Sequence, residues 1–131
     1  MRGAGLGLAA LATLAVLAIS PLAAGKPAER PPHRAQVRGS EYDLVLSKPK
    51  LRPGRVIIQF LNAGEDSHDL RLQRRGEGAE FGFGSVEPGG YENLDARLRK
   101  GSTYILWCSL SDHRQRGMEA TLRTRRHRHR A

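Results

Sequence analysis

From Tyr42 onward the hydrophobic positions recur every second residue. Tyr42, Leu44 and Leu46 stand between polar or smaller neighbours and stop before Pro49. His68, Leu70 and Leu72 alternate with Asp69, Arg71 and Gln73, and Leu94, Ala96 and Leu98 alternate with polar residues after the Pro88-Gly89-Gly90 turn. Successive side chains of a strand face opposite ways, so each run offers one apolar face and predicts a half-buried strand. Val56–Leu61 is a rich apolar run that ends at Asn62-Ala63-Gly64. Ser102–Cys108 (STYILWC) is aromatic and β-rich, and Met118–Arg123 alternates again. Phe81-Gly82-Phe83 is a weaker strand, interrupted by glycine. No capped helical stripe appears, and the turns flanking Leu94 and Leu98 favour a strand there as well. Six or seven short strands with frequent turns predict an all-β fold, a β-sandwich of about seven strands.

The two ends of the chain break this pattern. Residues 1–24 begin with Arg2, run uncharged from Leu6 to Ile19, break at Ser20-Pro21 and finish on small residues. That order is the order of a secretory signal peptide cleaved after Ala24. The run is short of the ~20 residues that span a bilayer, so membrane association is expected only if the segment is retained. Residues 25–37 are rich in proline and read as a linker, residues 38–124 as the folded domain, and residues 125–131 as an Arg/His-rich tail. Export places the domain in the periplasm, at the cell surface or outside the cell.

Composition narrows the chemistry. The 131 residues hold 22 Lys and Arg against 13 Asp and Glu, a net charge of +9, and a single cysteine. One cysteine excludes a disulfide framework and a cysteine-rich zinc site. In an oxidising compartment a lone thiol needs protection, by burial or by a ligand. Cys108 stands in a C-x4-H-x4-M segment with His113 and Met118, and His68 lies far upstream. Singly, each is an ordinary residue: a small buried cysteine, a turn histidine, a core methionine. Jointly, a thiolate, two imidazoles and a weak thioether suit copper, whereas zinc prefers a fourth strong ligand. Alternation puts Cys108 on the face of Tyr104 and Leu106, Met118 on that of Ala120 and Leu122, and His68 on that of Leu70 and Leu72. Three candidate ligands therefore sit at strand ends on apolar faces, and the loop brings His113 across.

With its upstream His68, the YILWC strand, the Cys–His–Met loop and the final GMEATLR strand, the body resembles a cupredoxin, a type 1 (blue) copper protein of the plastocyanin and azurin kind. The resemblance covers about residues 38–124 and implies a Greek-key β-sandwich holding one type 1 copper ion. It implies His68, Cys108 and His113 as equatorial ligands and Met118 as the weak axial one. Two positions depart from the family. Asp69 stands where an asparagine is common and can only accept a hydrogen bond, for instance from Ser109. Asp112 replaces a common glycine before the second histidine and is expected to favour protonation of His113.

Four protein ligands with none to spare argue against an enzyme. Copper enzymes of similar fold carry further His clusters, and here only His33, His127 and His129 remain. The implied function is transfer of single electrons between redox partners. The alternative is a copper-delivery protein without a redox role. The second loop histidine lies near the surface in the family, and Arg114 and Arg116 flank it here. A partner with an acidic docking surface is therefore expected. Basic stripes lack a base-reading element or stacking platform, so no specific nucleic-acid partner is expected.

Overall fold

The computed structural model describes residues 25, 26 and 28–126; the segment expected to be a signal peptide and most of the expected tail lie outside the described residues. Among the described residues nine strands follow one another: β1 (His33–Ser40), β2 (Asp43–Leu46), β3 (Lys50–Leu51), β4 (Gly54–Asn62), β5 (His68–Arg74), β6 (Glu80–Val86), β7 (Tyr91–Leu98), β8 (Thr103–Trp107) and β9 (Glu119–Thr124). They form two sheets, β2-β1-β4-β7 and β3-β9-β8-β5-β6. β1 pairs parallel with β4 and β3 pairs parallel with β9, while the other ladders are antiparallel. The all-β sandwich is the expected one, with two strands more than the hydrophobic pattern displays.

The larger addition is β1, which begins at His33 inside the stretch read as linker. Val37 and Gly39 are buried and Arg34, Gln36 and Arg38 are exposed, an alternation with only one large apolar residue to announce it. Its backbone is satisfied by seven registered positions along β4, from His33 opposite Val56 to Gly39 opposite Asn62. Pairing with the most hydrophobic strand thus recruits a segment that its own side chains barely specify. Between the sheets lie Val37, Val56, Ile58 and Phe60 from one layer and Leu70, Leu72, Leu106 and Leu122 from the other.

The register fixes two ends. β1, β4, β6 and β8 finish, and β5, β7 and β9 begin, at the end where His68, Cys108 and Met118 stand. The connecting loops there carry Glu41, Glu65, Asp66, Glu87 and Asp112. At the opposite end an open cleft of about 1270 Å³ is walled by Arg30, Lys50, Arg52, Arg55, Arg97, Arg123, Arg125 and Arg126, with Glu29 its one carboxylate. Burial and the charges of Arg52, Lys48 and Arg125 hold the imidazole of His33, beside that cleft, below its ordinary range.

Candidate metal centre

Each candidate ligand is delivered by a different piece of chain. His68 opens β5, where the pairing with β6 shifts register between His68 and Leu70. The extra residue lies in β6, which takes three steps from Val86 to Phe83 against two in β5, and both His68 and Asp69 are fully buried. Asp69, expected to face away from the core side, is buried all the same. Its Oδ1 accepts from the Ser109 backbone N–H at 2.6 Å, and its Oδ2 from the Ser109 hydroxyl and from Arg71 Nε at 3.2 Å. A carboxylate therefore ties the start of β5 to the residue after Cys108.

Cys108 follows β8 and is fully buried. Burial pushes its thiol upward, and the backbone N–H groups of Asp69 and Leu110 aimed at the sulfur act the other way. The loop then folds back in short turns. His113 N–H donates to Leu110 O at 3.1 Å, Met118 N–H to His113 O at 3.1 Å, and Cys108 N–H to Met118 O at 3.2 Å. Gly117 reverses the chain at φ 110°, a conformation that side chains rarely adopt. Met118 is fully buried beside Cys108, and its methyl would lie 3.1 Å from a β-carbon at Gly39.

Among the described residues, His68, Cys108 and His113 form the one cluster able to share a metal ion. His68 Nδ1 lies 3.2 Å from His113 Nδ1, and Cys108 Sγ lies 3.5 Å from His113 Nδ1 and 3.9 Å from His68 Nδ1. A triangle with these sides has its centre roughly 2.1 Å from every corner, within the range of metal–nitrogen and metal–sulfur bonds. Buried lone pairs facing one another this closely need a cation between them, a proton or a metal. The donor set fits copper, with two imidazoles and one thiolate in a plane.

The surroundings differ between the two imidazoles. His68 is fully buried, whereas His113 keeps 8% of its surface exposed. The ring of Tyr42 lies 5.0 Å from that of His113, and the guanidinium of Arg116 sits 4.6 Å above Tyr42. Asp112, expected to act on His113, accepts from Arg116 Nε at 2.8 Å, with His113 the least of the influences on its carboxyl. That bond is the main reason its carboxyl is held below its ordinary range. Arg114 bonds Glu119 at 2.6 Å and covers the ring of Trp107 at 4.4 Å. Both arginines expected to dock a partner are thus exposed and already share their charge with a carboxylate of their own loop or strand.

Sequence reading missed Glu41 and Asn62. Glu41, in the turn after β1, places its Oε1 3.0 Å from His68 Nε2 and 2.8 Å from the backbone N–H groups of both Glu65 and Asp66. These donors, the Asp66 N–H foremost, bring its carboxyl down to about 2. Asn62 is buried and bonds Asp66 O and Val86 O, each at 2.8 Å, and accepts from Gly64 N–H at 2.9 Å. For Asn62 the signal was present, since asparagine at a strand end commonly bonds a following turn.

No protein-family model matches the chain, and no curated protein matches it. Solved structures do. Dithionite-reduced auracyanin from the photosynthetic bacterium Roseiflexus castenholzii is 16% identical, over 70% of this chain and 95% of that one, with a TM-score of 0.56. Auracyanin B is 17% identical, over 73% and 91% of the two chains, with a TM-score of 0.59. A copper-containing nitrite reductase from Thermus scotoductus SA-01 is 17% identical over 78% of this chain but 33% of its own, with a TM-score of 0.54. The likeness is one of fold: this sandwich is cupredoxin-like.

Proposed function

We propose that the protein is an exported type 1 copper protein that carries single electrons between redox partners, with His68, Cys108 and His113 as equatorial ligands and Met118 as the axial one. The observation that carries this reading is the convergence of two Nδ1 atoms and one Sγ around a centre of metal-bond radius. Copper held there supplies a one-electron couple. The chain's part is to keep the donors still. Asp69 pins the Cys108 loop to β5, the Cys108 and Met118 backbones bond each other, and the core encloses His68. Donors held at strand ends and in a loop that bonds back on itself change little between oxidation states, which keeps rearrangement small when the electron moves. His113, the more exposed imidazole, is the point of contact for a partner, with Arg114 and Arg116 beside it. Two neighbours of similar length are auracyanins, and the nitrite reductase is about three times longer than its match, which favours a carrier over an enzyme.

Addition of Cu(II) to the mature protein is expected to give intense visible absorption from thiolate-to-copper charge transfer and a reversible one-electron wave. Cys108→Ala abolishes the colour, whereas Met118→Leu keeps it and shifts the potential. A colourless wild-type complex would defeat the electron-transfer reading. Tight binding without reversible cycling would favour copper delivery instead.

A further inference from the structure

We propose that Glu41 is a positioning residue for His68: its carboxylate fixes the imidazole as the Nε2–H tautomer and stabilises the more positive, oxidised state of the site. This role deepens the copper reading and rests on it. The carboxylate is built into place rather than left on the surface. Its Oε1 collects the two backbone N–H groups of Glu65 and Asp66 together with His68 Nε2. Asn62 holds that turn through Gly64, Asp66 and Val86, and a β-carbon at Gly64 would collide with the same carboxylate. Only glycine leaves Glu41 room to reach the ring.

Two consequences follow for the ring. The acceptor is anionic and has no proton to give, so His68 Nε2 must be the donor. Nδ1 is then left bare, and it is Nδ1 that faces His113 Nδ1 and Cys108 Sγ. A histidine ligand is commonly oriented by a partner on its other nitrogen, and a carboxylate partner raises its basicity. The hydrogen bond to a carboxylate also strengthens as the imidazole becomes more positive. It therefore favours the state with the higher metal charge and lowers the reduction potential. A residue that only stapled the 62–66 turn to the end of β1 would have no such effect.

The test uses Glu41→Gln, which keeps the shape and an acceptor oxygen but loses the charge, and Glu41→Ala, which loses both. In the metal-free wild type, nitrogen-15 NMR of the His68 ring should show the Nε2–H tautomer, and Glu41→Ala should mix the two tautomers. In the copper-loaded protein, Glu41→Gln should raise the reduction potential by at least a tenfold change in the ratio of Cu(II) to Cu(I) affinity, which is 59 mV for one electron. A potential unchanged in Glu41→Gln, or a wild-type ring in the Nδ1–H form, overturns the proposal. If Glu41→Ala fails to fold, Glu41→Gln still decides the question. A wild type that binds copper without colour would sink the copper reading, while the metal-free tautomer would separately report the hold of Glu41 on His68.

Discussion

The thiol of Cys108 is held upward by burial first of all, with the charge of Asp69 adding to the shift. In the metal-free protein at neutral pH the sulfur therefore carries a proton, and a metal must displace it. The sign is fixed: acid favours the proton and alkali the metal. Copper uptake is expected to release a proton, and apparent affinity to fall by about tenfold for each unit of acidification while the thiol is the group deprotonating. Competition titrations between pH ~6 and ~8 measure this, and an affinity flat across that span would mean the thiol is not a ligand. The ligands were legible because their residue types are scarce: one cysteine and one methionine after the initiator stand in a short loop. Glu41 was not legible. It lies 27 positions from the histidine it bonds, and no local pattern separates it from other surface glutamates.

Strands show the same division. β4, β5, β8 and β9 announce themselves by apolar alternation, because each must cover a core face. β1 does so weakly, since its inward positions near the metal end are Val37 and Gly39. Its glycine has a structural reason. A β-carbon at Gly39 would lie 2.7 Å from two ring carbons of Phe60 and 3.1 Å from the Met118 methyl. Gly39→Ala is therefore an overpacking change, expected to cost about 1–3 kcal/mol. It also pushes on Met118, so the copper spectrum should shift along with the melting temperature. Thermal melts of the metal-free variant and visible spectra of the loaded one measure both effects. An unchanged melt would show that Phe60 and Met118 yield freely. The burial of Asp69 was likewise hidden, because strict alternation places it outward and its cover comes from Ser109, forty positions away, and from Arg71.

Among the described residues, the molecule's positive charge is not spread evenly. Loops around the metal end carry carboxylates, and Arg114 and Arg116 there are matched by Glu119 and Asp112. An acidic partner approaching His113 competes with those two carboxylates, so association gains less from the arginines than their number implies. At the far end, roughly 25 Å away along the nine residues of β4, the cations of the cleft outnumber their carboxylates even with Arg55 paired to Asp95 and Arg97 to Glu29. Composition reveals the sum but not this separation, which exists only once the strands are in register.

The polarity has a practical consequence at a charged electrode. A negatively terminated monolayer should seize the molecule by its arginine-walled cleft and leave the copper pointing into solution, a long way from the conductor. A positively terminated one should turn the acidic rim, and His113 with it, toward the surface. Protein-film voltammetry is therefore expected to give faster interfacial exchange on the positive layer at low ionic strength, the contrast fading as salt is added. Equal rates on both layers at low salt would show that the charge separation does not orient the protein.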